Sequence, residues 1–333
     1  MVKIAVLIVS RNRPDLVDSQ AEWLAESVFI PHDLFVIECG TDRDKLSDHS
    51  TLWYADAEFR GKAWGHSLAI DVARKSGKYD YYFVLMNDLV FDAGIDVLRI
   101  LVEQMEKEPL MAILSPTNIE GDYPSSAPRE YQDWHAVSTC DYLAFMMRAS
   151  AFDQVGFLNP SFQYCWGAIH ELAYKLYSNG WFVAYSDRVS YRHLGGSTYG
   201  HNDTNTISRE EYRNRAKRYA YNYFCSNYGD NWDEVFWSAA QGHGIEVNTF
   251  SMHKEIWSEV YMGEARQKAS NTCVSSSPSS PIGALKQSVA TLGTIRLHLG
   301  CGPDKREGWI NIDTQSELQP DIVSSVVALP MFY

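Results

Sequence analysis

The opening residues carry a short unbroken apolar run, KIAVLIV at 3 to 9, rich in β-branched side chains, which predicts a strand covered on both faces of a parallel sheet. Pro14 and Asp15 then begin a stretch with Leu16, Ser19, Trp23 and Val28 at helical intervals, so a helix is expected over 14 to 28. The alternation recurs. Strands are expected at DLFVIE (33 to 38), TLWYAD (51 to 56), DYYFVLM (80 to 86) and MAILSP from 111, with helices over 61 to 78 and near 94 to 107. Such alternation predicts an α/β fold, a Rossmann-like sheet flanked by helices. A further helix is expected over about 206 to 228, with Tyr219, Tyr223 and Phe224 on one side, strapping the domain.

In open α/β sheets, ligands sit beyond the carboxyl ends of the strands. The polar tips there are Ser10, Arg11, Asn12 and Arg13, then Glu38 to Asp42, then Asn87 and Asp88. Their character suits a nucleotide, with plain solvated loops as the alternative. Asp88 ends an apolar strand in LMNDLVF, where one fixed carboxylate suits a hard divalent cation that takes its other ligands from phosphate and water. It could equally cap a following helix. His193, ahead of Gly195 and Gly196 in VSYRHLGGSTYG, could close the same metal shell or be a stray loop histidine. His170 and Glu171 head the helical ELAYKL; a carboxylate there, facing the crevice, is well placed as a general base, and a capping acid is the other reading.

Composition narrows the partners. In 333 residues, 42 acidic against 29 basic side chains leave a net charge of -13, which repels phosphate backbones and anionic lipid, so nucleic acid is not an expected partner. No run offers a membrane span, and MVKIAVLIVSRNR is too short and too soon charged for a signal peptide, so a cytoplasmic protein is expected. The six cysteines lack zinc-like spacing and are expected to be reduced.

Residues 264 to 281 lose periodicity, and VSSSPSSP at 274 to 281 has the composition of a linker. Beyond it, IRLHLGCG (295 to 302) and GWINID (308 to 313) form a strand, glycine turn and second strand ending in an acid. In that layout Gly300 and Gly302 let a ligand approach the backbone and Asp313 holds ribose hydroxyls. Some 40 residues cannot bury enough surface to fold as an independent α/β domain, so a fragment of one is expected. The expected organisation is therefore a domain over 1–262, a Ser/Pro-containing linker over 263–293 and a partial domain over 294–333.

Taken in order, VSRNRPDL, IECGTD, FRGKAWGHSLAI, LMNDLVF and VSYRHLGGS resemble the family 2 inverting glycosyltransferases of the GT-A fold, over roughly residues 3 to 230. The resemblance implies that Glu38 reads the nucleobase with Asp42 nearby, that Arg60 and Lys62 contact the donor, and that Asp88 and His193 bind Mn2+ or Mg2+. The implied activity is metal-assisted transfer of a sugar from a nucleotide-sugar donor, UDP-sugars first, to a hydroxyl of a glycan or glycoconjugate acceptor. Trp64, Tyr164 and Trp166 would shape the sugar pockets. The sequence departs from the family pattern twice: Met86 stands where its metal motif has an acid, and Ala168 and Ile169 stand where it has a Glu-Asp pair, which leaves Glu171 or His170 as the base. A non-catalytic nucleotide- or carbohydrate-binding module is the alternative. LHLGCGPDKREGWINID resembles the first motif of S-adenosylmethionine methyltransferases, which would make the natural protein bifunctional; that cofactor is implied only for a complete domain.

Overall fold

The computed structural model describes residues 2–55, 61–120, 124–195 and 207–242, together with three short strands further on. The chain divides into two units, Met1–Gln267 and Lys268–Tyr333.

In the first unit the expected alternation is present with ends shifted by a few residues. It runs β1 (Ile4–Ser10), α1 (Pro14–Ser27), β2 (His32–Cys39), β3 (Leu52–Tyr54), α2 (Lys62–Ser76), β4 (Tyr81–Leu85), β5 (Leu89–Phe91), α3 (Val97–Lys107) and β6 (Met111–Asn118). Then follow β7 (Trp134–Ala136), β8 (Ala144–Arg148), α4 (Ala149–Val155), α5 (Ala168–Ser178), β9 (Phe182–His193), α6 (Arg209–Tyr228) and α7 (Trp232–Gln241). The strands make one mixed sheet in the order β3-β2-β1-β4-β8-β6-β9-β5, with β7 also on β9. β3, β2, β1 and β4 are parallel. β8 enters antiparallel between β4 and β6, and β5 and β7 run antiparallel to β9. This is the expected Rossmann-like mixed sheet flanked by helices.

Every residue of β1 and of β4 is buried. Helices on both faces remove the polar alternation that a half-exposed strand would carry, hence the continuous apolar runs. α3 buries Val97, Leu98, Leu101, Val102 and Met105 along one stripe, and its N-terminus is capped by Asp96, whose carboxylate accepts from the Arg99 amide at 3.1 Å.

α2 lies unusually close to the sheet, because a Cβ at Gly65 would stand 2.7 Å from Val9 Cγ1. That approach holds the start of α2 over the carboxyl ends of β1 and β2, Val9 and Cys39 being the residues it meets. α6 crosses α5 as the expected strap, through an aromatic cluster it shares with α7. Phe224 and Trp232 are fully buried, and Tyr174 stacks on Phe236 at 4.5 Å.

In the second unit β10 (Leu297–Leu299), β11 (Ile310–Asp313) and β12 (Ile322–Val323) form a parallel sheet in that order. The linker expected at 263–293, and Gly300 and Gly302, lie outside the described residues; Asp313 ends β11.

Candidate functional site

The tips of β1, β2 and β4 share one edge of the sheet. These strands are adjacent, so with neighbouring strands ~4.8 Å apart the β2 and β4 tips stand about 10 Å from each other. Two polar clusters occupy that edge.

The first joins the loops after β1 and β2. Asn12, in the left-handed region at φ 54°, donates from Nδ2 to Asp42 Oδ2 at 3.1 Å and accepts the Asp42 amide on Oδ1 at 2.7 Å. Its own amide donates to the Thr41 hydroxyl at 3.3 Å. That hydroxyl donates to Glu38 Oε2 at 2.7 Å, and Ser50 Oγ donates to Glu38 Oε1 at 3.3 Å. Glu38 is fully buried, with the Thr41 and Ser50 hydroxyls on its carboxylate. Ser10 Oγ, at the tip of β1, is buried without a hydrogen-bond partner.

The second cluster is built on β4, β5 and β9. Leu89 pairs with His193 in the antiparallel β5–β9 ladder, and the Leu194 amide donates to the Asp88 carbonyl at 3.0 Å. The ladder sets His193 Nε2 3.2 Å from Asp88 Oδ2. Asp88 does not cap a helix, since the residues that follow it are strand. His193 is the last residue of β9 and belongs to the ladder rather than to the loop beyond. Gln20 on α1 braces the turn by donating to the Asn87 carbonyl at 3.3 Å.

Lys62, in the first turn of α2, reaches toward the end of β4, its Nζ 3.7 Å from Met86 Sδ. Its Nζ donates to the Tyr142 carbonyl at 3.2 Å and lies 4.7 Å from the centre of the Tyr142 ring. Behind it, burial and the Lys62 charge depress His66 to about 3, so this imidazole is neutral where its Nδ1 meets the Tyr142 hydroxyl at 2.8 Å. Arg11 is on the same edge, and Arg60 lies outside the described residues.

One carboxylate and one imidazole in contact are a donor set suited to Mn2+ or Mg2+, with diphosphate and water completing the shell. Among the described residues no three His, Cys, Asp or Glu side chains come together as a metal cage.

Glu171 lies in the first turn of α5, as expected, but does not face the crevice. It is 2 % exposed; Oε1 accepts the hydroxyls of Tyr223 and Tyr228, each at 2.7 Å, and Lys175 Nζ lies 3.2 Å from Oε2. Helix periodicity signals the acid at the start of α5, but the tyrosines that enclose it come from α6, some fifty residues on. Burial alone would raise this carboxyl; the two tyrosines and Lys175 outweigh it and hold it below the usual glutamate range. Beside it, burial lowers His170 to about 3.

Glu171→Gln should loosen α6 from α5 at a cost of about 2 kcal/mol in urea unfolding, the scale for hydrogen bonds to a charged group. Because the folded value is depressed, this stabilisation is complete above about pH 4.3 and is lost as pH falls through the lowered folded value. Wild type and variant should thus converge in acid. A gap that persists or widens there would contradict the charged anchor.

A further carboxylate near this cluster, Asp141, carries no sequence motif. Asp141, ahead of β8, and Asp88, in the turn after β4, both lie near enough to Tyr191 to help raise its phenol, burial being the main cause. Asp141 is half-buried, its amide donating to the Tyr185 hydroxyl at 2.7 Å. Cys39, Cys140, Cys165 and Cys225 are free thiols. Among the described residues no helix is long and apolar enough to cross a membrane.

No protein-family model matches the chain, and no curated protein matches it. Among solved structures it is similar to the mannosyltransferase PcManGT from Pyrobaculum calidifontis, in complex with GDP-Man and Mn2+. The identity is 14% over 87% of this chain and 81% of that one, with a TM-score of 0.49. It is also similar to GalNAc-T7 with UDP, GalNAc and Mn2+, at 12% identity over 81% of this chain and 58% of that one, TM-score 0.48. A third is S. aureus TarS 1-349 in complex with UDP-GlcNAc, at 12% identity over 72% of this chain and 73% of that one, TM-score 0.46.

Proposed function

We propose that the protein is a GT-A type glycosyltransferase that moves a sugar from a nucleoside-diphosphate donor, UDP-sugars first among them, to a hydroxyl of a glycan or glycoconjugate with inversion. The observation that carries this reading is the contact of Asp88 with His193 at the sheet edge that also bears the Asn12, Thr41 and Asp42 cluster.

Under this reading Asp88 and His193 hold a divalent cation, which supplies Lewis-acid stabilisation of the departing diphosphate. Asn12, Asp42 and the unpartnered Ser10 hydroxyl orient the nucleoside end of the donor, with Arg11 and Lys62 toward the phosphates. Asp141 takes the acceptor hydroxyl proton as the new glycosidic bond forms, a role in which a positioned base contributes about 10² to 10⁴ in rate. Its half-buried position, near Tyr191 as Asp88 is, supports the assignment, as does the apolar, buried Ile169. Glu171, engaged by Tyr223, Tyr228 and Lys175, anchors α6, and His170 packs beside it. In the second unit, Asp313 at the end of β11 is the group we assign to ribose hydroxyls of S-adenosylmethionine, should the domain be complete.

The test is nucleotide release from a panel of nucleotide sugars with Mn2+ or with EDTA. Metal-dependent release from at least one donor is expected, and none from any donor would refute the enzyme. Asp141→Asn should cut transfer at least about a hundredfold while leaving donor affinity unchanged; full turnover in this variant would return the proton to Glu171 or His170. Nucleotide binding without release or transfer would favour a binding module.

A further inference from the structure

β3 carries an exposed ring, Trp53, beside the loops after β1 and β2, and its consequence rests on the nucleoside diphosphate reading given above. In the sheet register Ser10 lies beside Glu38, and Glu38 beside Trp53. Paired residues of neighbouring strands face the same side of a sheet. One row at the carboxyl edge therefore presents in turn a buried hydroxyl without a partner, a buried carboxylate and an indole ring.

Trp53 stands at the open end of that row. β3 is the outermost strand on its side, and Trp53 is 38 % exposed where most large apolar side chains of the unit are buried. The ring is nevertheless held. Its Nε1 donates to the Thr41 carbonyl at 3.0 Å, and the Thr41 side chain is the hydroxyl that links Asn12 to Glu38. A wide exposed ring on an edge strand is otherwise a liability for a soluble domain. Here it is tied into the polar network of the crevice itself, whereas Glu38 is too deeply buried to meet a ligand.

We propose that Trp53 is the stacking platform for the heteroaromatic base of the nucleoside diphosphate. The indole takes the face of the base, and the loop at Gly40 to Asp42 takes its edge. Glu38 serves by fixing Thr41 and, through it, the position of the ring.

The experiment is calorimetric titration of the full chain with UDP, GDP and inorganic pyrophosphate, each with Mn2+, for wild type, Trp53→Ala and Trp53→Phe. Trp53→Ala should weaken the better-bound nucleotide about tenfold or more, the scale of one base on one aromatic ring, and leave pyrophosphate affinity unchanged. Trp53→Phe, which restores a flat ring, should recover most of the loss. Equal nucleotide affinity in wild type and Trp53→Ala overturns the platform and leaves the crevice reading intact. Parallel losses for nucleotide and pyrophosphate in Trp53→Ala also overturn it, because they report a collapsed loop rather than a missing stack. A wild type that binds neither nucleotide nor pyrophosphate overturns the crevice reading, and the platform with it.

Discussion

Asp88→Asn is expected to lower metal-dependent nucleotide release at least about a hundredfold while barely moving the melting temperature. The size of the effect follows from the donor set. A hard cation bound to a diphosphate is usually held by one or two carboxylates, and in the Asp88–His193 pair the carboxylate is the single formal negative charge. An amide keeps the shape of the side chain and its place after β4 but gives the cation only a dipole. The strand pairing survives because Leu194 donates to the backbone carbonyl of residue 88, which the substitution leaves untouched. Titration of UDP with and without Mn2+ separates the two effects: the variant should lose the Mn2+-dependent part of the affinity and keep the rest. Unchanged Mn2+-dependent affinity would remove Asp88 from the metal site.

The second large effect is on stability. Gly61→Ala should cost about 3 kcal/mol, from roughly 1 to 2 for a side chain in a left-handed conformation and a similar amount for overpacking. Gly61 has φ 86° and ψ 158°, a region that is essentially glycine's alone, and a Cβ built there would lie 1.8 Å from the Gln163 carbonyl oxygen. The clashing atom is backbone on both sides, so no side chain can turn aside. Either the start of α2 or the loop before α5 must move. The melting temperature should fall by about 6 to 12 °C on the scale for a unit of this size, Met1–Gln267. Because Lys62 follows directly, donor affinity should fall too. A stable variant with normal affinity would mean that the close approach of these two segments is dispensable.

Much of the scaffold was legible as a pattern. β1, β2 and β4 read as apolar runs because burial on both faces erases alternation, and α1, α2 and α3 read from periodic apolar positions between cap and breaker residues. The carboxyl tips of those strands followed, since strand and loop ends are the one place where a parallel sheet exposes ordered polar groups. The three-residue strands β5 and β7 were not legible, as three residues are too few to establish a period. β8 was missed because its AFMMR, buried but for Arg148 and without alternation, is no more strand-like than helical. Of those strands, β5 sets a long-range contact at the sheet edge: the β5–β9 ladder joins Asp88 to a histidine 105 residues away.

Glu171 marks the limit most plainly. Its place at the head of a helix follows from periodicity, but periodicity is silent on what lies over that helix. Tyr223 and Tyr228 lie over it, and they turn an acid suited to the crevice into a buried anchor. Trp53 is the converse, an edge-strand residue whose tie to the Asn12–Thr41–Glu38 network shows only in the fold, where the Thr41 carbonyl holds its indole.

Local sequence by itself determined the alternation of β1 to β4 and β6 with α1 to α3 and the polar residues at those strand ends, because propensity, burial period and capping act over a few neighbouring positions. Only the tertiary structure decided which of those polar ends meet, which carboxylate faces the crevice and which is sealed away. These depend on register and crossing between segments far apart in the chain, where a shift of one residue turns a side chain to the opposite face.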